Sequence, residues 1–461
     1  MASLAALSEE RQTRPAIMFF RTMALFGRLK DSPFVRNVLV VMSGSVFAQA
    51  IGFALSPIIS RLFTPADFGA FGSFGAVTGV IASIVTLDYS QAIMLPRERE
   101  DAGQVFLLSC LATLTVTVLC AAACLLAPNW LTGLLTIRSH WVLALVVLAV
   151  LAAGLNGSCQ AWCVRIKSFK QTSASQVVRG LSSNGLQVVL GVARSGAPGL
   201  IVSSVLADFL ASLNLLRVIR TDLRSFISDA RWGRLKQLAT DYGDFPAYSA
   251  TQNLLNALST GLPVLLLTHY FDISVAGAYA FGMRLLNAPM SLIFGALRQV
   301  LFQKAGEMQH HGLKLLPLFV KTTVGLFGLG LLPAIVLGTW SPQLFTWIFG
   351  NKWQSAGEFA RYLVIWLLLS FCNLPAVLFA RLIRIQRALF FYNSIVLAVR
   401  AVALVLGGLY LTALQSVALF SLVGAVMNLV LILFVGRALL KREGELSLAQ
   451  LRDRLAGSPL D

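Results

Sequence analysis

Twelve stretches of mostly apolar residues succeed one another along the chain, at 37–59, 68–95, 103–127, 141–164, 174–193, 197–219, 247–268, 276–303, 315–340, 360–383, 388–411 and 415–437. Each is close to the roughly 20 residues a helix needs to cross a bilayer. A chain with this pattern has few options. In hydrocarbon every backbone N–H and C=O must be satisfied internally, which only helices and closed barrels achieve. The expectation is an all-α polytopic membrane protein of about twelve transmembrane helices. Composition leaves no room for a large water-facing domain: 12% of residues are charged and mean hydropathy is +0.76, against about 25% charged in a soluble domain.

Lys and Arg fix the direction of insertion. With the N-terminus cytoplasmic, 27 of the 37 Lys and Arg fall on the cytoplasmic side, five on the other side and five inside spans. Most of the formal charge of +17 is therefore topology information and not a nucleic-acid patch. An even span count puts both termini in the cytoplasm. The first residues are polar and carry Glu9, Glu10 and Arg11, unlike a signal peptide. Arg14, Arg21 and Arg28 follow at a spacing of seven, which fits either an amphipathic helix on an anionic leaflet or a basic tail. The expected organisation is a cytoplasmic basic segment 1–36, an N-lobe 37–219, a cytoplasmic linker 220–245, a C-lobe 246–438 and a cytoplasmic tail 439–461. In the linker, Trp232, Leu235 and Leu238 lie at helical spacing among basic residues, as an interfacial helix or a tether would have them.

One passage occurs twice. "SRLFTPADFGAFGSF" begins at Ser60 and "LTHYFDISVAGAYAFG" at Leu267, with Phe63 aligned to Phe271 at an offset of 208. Ser43-Gly44-Ser45 with Pro57 matches Ser249-Ala250-Thr251 with Pro263 at an offset of 206, and "RIKSFKQ" matches "RLIRIQR" at 216. Three phrases in the same order make six spans followed by six more of the same orientation. Such a parallel repeat builds two pseudo-symmetric six-helix lobes around a central cavity, with the substrate between them. Gly69, Gly72, Gly75 and Gly79 in the first copy allow close helix approach.

From Tyr242 the chain carries Asp244-Phe245-Pro246, then Ala276-Gly277-x-Tyr279 with Arg284 and Pro289, then Gln299-Val300. This resembles the midpoint signature of the bacterial lipid-linked oligosaccharide (O-antigen or polysaccharide) flippases, a branch of the multidrug/oligosaccharidyl-lipid/polysaccharide exporter superfamily. The first hairpin resembles that of the same family. The resemblance implies a flippase of the bacterial inner membrane, working by alternating access through a positively charged cavity. Its cargo would be an undecaprenyl-diphosphate-linked oligosaccharide moving from the cytoplasmic to the periplasmic leaflet, for O-antigen, capsule or exopolysaccharide. It implies membrane lipids, a polysaccharide polymerase and a chain-length regulator as partners, no nucleic acid, and no cofactor beyond a coupling proton or sodium ion.

Ionisable groups inside spans cost about 2.5–3.5 kcal/mol near the bilayer centre and are functional candidates. Arg284 and Arg298 lie fourteen residues apart on one face of span eight. Arg400 lies near the middle of span eleven; Lys321 and Arg179 lie one to two turns from span ends. All five are candidate donors for a diphosphate, a role suited to the planar fork of Arg; snorkelling or internal ion pairing is the alternative. Asp88 in span two and Asp208 in span six are candidates for ion coupling or inter-lobe pairing, with Asp88 and Arg298 expected at similar depth across the cleft. In span seven, Tyr248, Gln252 and Asn256 suit sugar hydroxyls, and equally suit interhelical hydrogen bonds.

The six cysteines lie in apolar runs, no C-x-x-C occurs and the four histidines do not form a ligand cluster, so metal chemistry is not expected. A multidrug antiporter of the same superfamily needs an acidic cavity for cationic cargo, whereas the intramembrane charges here are five basic to two acidic. A glycan polymerase needs a water-facing catalytic region, and the longest outer segments, near 128–140 and 340–360, are short. A lipid II flippase usually has two more spans.

Overall fold

The structure, a computed structural model, describes residues 33–137, 139–310, 313–383 and 385–456. The basic segment with Arg14, Arg21 and Arg28 lies outside them. Every regular element among the described residues is helical. Span one is Pro33–Leu62, span three Arg99–Leu126, span four Trp141–Arg165, span five Phe169–Val192 and span six Gly196–Ser228. Span seven is Thr251–Tyr270, span eight Ile273–His310, span nine Leu316–Phe349, span eleven Gln386–Tyr410 and span twelve Ala413–Ala456. Span ten is Gln354–Cys372 continued by Leu374–Leu382, interrupted at Asn373 just before Pro375. Span two is broken into Pro65–Ala82 and the single turn Tyr89–Ala92. Between them Leu87 (φ 47°) and Asp88 (φ 59°) take the left-handed conformation, which a helix cannot propagate.

Several expected boundaries move. Asp88 lies at this break and not within a continuous helix. Span six runs on past 219 to Ser228, because its hydrogen-bonded ladder continues where Arg217, Arg220 and Arg224 leave the apolar stretch. Span nine reaches Phe349, so most of the expected outer segment 340–360 is helix. In the linker, Trp232–Asp241 forms a helix whose Leu235 and Leu238 are buried while Trp232 is exposed. Arg234 anchors it to span three, donating from Nη2 to Asp101 Oδ2 at 2.6 Å. The linker helix is thus docked on the first lobe.

Eight of the described helices are long and apolar enough to cross a bilayer on their own. Spans two, five, seven and eight complete the twelve and fall short of that measure. Span two is broken, and the other three carry Gln, Asn, Ser or Arg.

The two halves pack alike. In the first lobe span one lies on five, five on six, four on six and three on four; in the second, seven lies on eleven, eleven on twelve, ten on twelve and nine on ten. Across the lobes span two packs on spans seven and eight.

The lobes close on one another where the repeated hairpins meet. Thr64 and Asp67 form a capping box on span two, with Pro65 in its first turn. The second oxygen of Asp67 accepts from Ala197 N at 2.8 Å, so one carboxylate caps spans two and six. Before span eight, Asp272 stands at the position equivalent to Thr64 and accepts from Ser274 N at 2.9 Å. The Ser274 N–H holds the Asp272 carboxyl below the usual carboxylate range. Helix backbones then come close at glycine: a Cβ on Gly277 would lie 1.7 Å from Pro65 O. Phe68 is buried edge-on against Phe281 and Trp353, with centroids 5.0 and 5.2 Å away. From the turn between spans nine and ten, Lys352 Nζ donates to Phe63 O (2.7 Å) and Arg61 O (3.0 Å), and Trp353 Nε1 to Ser60 O (2.9 Å). These carbonyls end span one, where a helix lacks its own donors and favours a cation.

Candidate functional site

A perfect two-fold would make the contact of span one with span eight match that of span two with span seven. It does not. Span two packs along span seven, whereas spans one and eight touch lightly, with Ser291 Oγ donating to Gln49 Oε1 at 3.0 Å. The gap between them is a cavity of about 360 Å³, lined by Gln49, Phe53, Arg284 and Ser291 among others.

Arg284 lines this cavity and two more. One, of about 460 Å³, lies within the first lobe among spans one, five and six; the other, of about 430 Å³, lies between spans two, seven, eight, ten and eleven. Arg284 Nη2 donates to Asn184 Oδ1 at 3.3 Å, and no ion pair among the described residues includes Arg284. Arg284 thus stands where three cavities meet with no carboxylate paired to it among the described residues, and its planar fork offers paired donors.

Arg400 lines the third cavity from span eleven. It is 9% exposed, with its guanidinium 4.2 Å from the Trp366 ring and 4.1 Å from the Phe420 ring. Nη1 donates to Ser259 Oγ at 3.4 Å; Nε and Nη2 have no partner among the described residues. Arg179 lines the first-lobe chamber but is paired with Asp208 there, so Asp208 serves a contact within one lobe. Arg298 and Lys321 are exposed and line none of these cavities. Asp88 does not meet Arg298; its carboxylate faces Ser249 and Asn253 at the start of span seven. That contact crosses the lobes, but with the neighbouring span. Tyr248 is 73% exposed, Asn256 is exposed, Gln252 is half-buried, and none of the three lines these cavities.

The polar lining comes instead from span five. Gln176, Gly180, Ser183, Asn184 and Gln187 all face the first-lobe chamber. Their spacing of four, three, one and three is a helical stripe. That stripe is the signal that reading single charges overlooked: an amphipathic pattern inside a membrane helix marks a wet wall.

Two six-span lobes with cavities lined by Arg284 and Arg400 make this a multi-pass membrane protein on a transporter fold. A family model described as "Polysaccharide biosynthesis protein" matches residues 58–358, and the chain belongs to that family. The succinoglycan biosynthesis transport protein ExoT of Rhizobium meliloti (strain 1021) is 22% identical over 328 residues, 70% of this chain; the match spans 63% of that relative's length. Among solved structures, the lipid II flippase MurJ in an inward closed conformation superposes with a TM-score of 0.69 at 10% identity, over 92% of this chain and 94% of that one. An inward-facing MATE-family multidrug transporter of the MOP superfamily gives 0.68 at 16% identity, over 88% and 99%. An outward-facing one gives 0.60 at 15%, over 88% and 96%.

Proposed function

We propose that the protein is a flippase for an undecaprenyl-diphosphate-linked oligosaccharide. It carries this cargo from the cytoplasmic to the periplasmic leaflet of the bacterial inner membrane for cell-surface polysaccharide synthesis. The observation that carries the reading is Arg284, a guanidinium with no ion-pair partner among the described residues, reached both from the gap between spans one and eight and from a polar chamber. A diphosphate attached to a lipid needs a cation it can approach sideways, without its tail leaving the bilayer. The family membership and the ExoT similarity support a polysaccharide-related cargo. With both termini cytoplasmic, the hairpin contacts seal the periplasmic end, and rocking of the two lobes about them gives alternating access. Asp88, facing Ser249 and Asn253, is the acid best suited to sense a coupling proton or sodium ion.

A cationic drug is a poorer cargo. The acid lining these cavities, Asp208, is engaged with Arg179, while Arg284 and Arg400 are unpaired among the described residues. The test is deletion of the gene, followed by measurement of lipid-linked glycan on each leaflet. The reading requires accumulation on the cytoplasmic leaflet with synthesis of the lipid-linked unit intact. An unchanged leaflet distribution would contradict it.

A further inference from the structure

The cavities flanking Arg284 have opposite chemistry. On the first-lobe side, the chamber of about 460 Å³ presents the side-chain amides of Gln49, Gln176, Asn184 and Gln187. Gln187 is 1% exposed; its amide N–H donates to Ser183 Oγ at 3.4 Å, and its Oε1 has no partner among the described residues. An orphaned buried amide oxygen costs free energy unless a donor arrives. An amide both donates and accepts, as a sugar hydroxyl does; an acyl chain does neither and a phosphate only accepts. The charged groups of this wall, Arg179 and Asp208, neutralise each other, which leaves the chamber polar but uncharged apart from Arg284 at its edge.

On the other side, a groove of about 380 Å³ runs between spans eight, nine and ten. Its lining has no polar side chain; Met290, Ala334, Leu337 and Leu368 are typical. It adjoins the gap between spans one and eight, because Phe53 and Leu285 line both. Leu285 directly follows Arg284 in span eight. The sequence of surroundings is therefore amides, then a guanidinium, then hydrocarbon.

A lipid-linked glycan has the same order: hydroxyls, then a diphosphate, then an isoprenoid. We infer, on the basis of the function proposed above, that the cargo lies across the lobes, with its first sugars in the span-five chamber and its isoprenoid in the groove beside Leu285. Gln176 and Gln187 then select the sugar, and the groove selects a long prenyl chain over a short one.

The test uses the full-length protein in lipid nanodiscs and three probes: undecaprenyl diphosphate, geranyl diphosphate, and undecaprenyl diphosphate carrying a single N-acetylglucosamine. Gln187→Leu and the less buried Gln176→Leu should weaken binding of the sugar-bearing probe about threefold to tenfold, the effect of one lost hydrogen bond, and leave the sugar-free carrier unchanged. Ala334→Phe, which fills the groove, should weaken undecaprenyl diphosphate and spare geranyl diphosphate. Equal losses for the probes compared in either arm, or no loss, would overturn the orientation; the second result would also leave the groove to bulk lipid. Arg284→Gln separates the two proposals, since full retention of all three probes by that variant would instead remove the diphosphate site itself.

Discussion

Gly69 and Gly277 stand 208 residues apart, and each leaves space for the backbone that precedes the other. A Cβ on Gly69 would lie 2.0 Å from Ile273 O, and one on Gly277 would lie 1.7 Å from Pro65 O. Pro65 and Ile273 are themselves 208 apart. The repeated phrase is thus repeated because its two copies cross each other on the pseudo-two-fold axis, and a crossing this close admits only glycine. One turn further in, Gly72 faces its own counterpart Ala280, at 3.0 Å from an added Cβ.

Gly277→Leu should therefore lower thermal stability strongly, by at least the roughly 1–3 kcal/mol typical of overpacking. Gly75→Leu is the control, because an added Cβ there meets nothing within 4 Å and the change should stay within about 0.5 kcal/mol. Thermal unfolding of both variants in detergent checks this. Similar melting temperatures would mean that the crossing is not tight.

Lys352 joins the second lobe to the end of span one through two carbonyls. Lys352→Met removes these charge-assisted bonds, worth about 1.5–3 kcal/mol when shielded and less where water reaches the amine. The hairpin end should open more often. Spin labels at Asn129 and Gln354, read by pulsed electron resonance, should show a growing long-distance population, whereas an unchanged distribution would leave Lys352 without a latching role.

Arg400 separates charge from packing. Its site holds a cation between two rings with two nitrogens unpartnered among the described residues. Arg400→Met removes a buried, uncompensated charge and should leave the melting temperature equal or higher, as apolar replacements of buried charges often do. Transport of an anionic cargo should still fall. Arg400→Lys keeps the charge but loses the planar stacking, so it should cost stability, by about 1–2 kcal/mol. A destabilised Met variant would make Arg400 a structural staple.

The Asp67 carboxylate caps two helices at once, accepting from Thr64 N and Ala197 N. Asp67→Ala should cost about 1–2 kcal/mol, and Asp67→Asn, which keeps an acceptor, less. Chemical denaturation of the two variants side by side measures the difference; equal losses would assign the effect to charge and not to capping.

The sequence made the architecture legible where one strong constraint acted alone. Apolar length gave twelve spans, and the repeated phrase gave two lobes. The exceptions had competing causes. Leu87 and Asp88 break span two through backbone conformation, which hydropathy does not record. Within the site, Arg284, Arg400 and Arg179 were recognisable as cations in apolar runs, and all three face cavities. Arg298 and Lys321 satisfied the same criterion but are exposed, because a residue count along a helix gives depth and not azimuth. Tyr248 and Asn256 of span seven have the chemistry suited to sugar hydroxyls but are exposed, whereas the polar stripe of span five lines the first-lobe chamber. Uncharged amides carry too weak a penalty to stand out singly; only their helical spacing reveals them.

The proposed transport cycle turns on Arg284, which has no ion-pair partner among the described residues, receiving the phosphate of a lipid carrier. Translocation of an undecaprenyl-diphosphate-linked glycan in proteoliposomes, wild type against Arg284→Gln, measures it directly. Losing a charge-assisted bond of about 1.5–3 kcal/mol should slow the variant roughly tenfold to a hundredfold while its melting curve and insertion stay unchanged. A properly folded Arg284→Gln protein that moves the glycan at the wild-type rate would contradict the account.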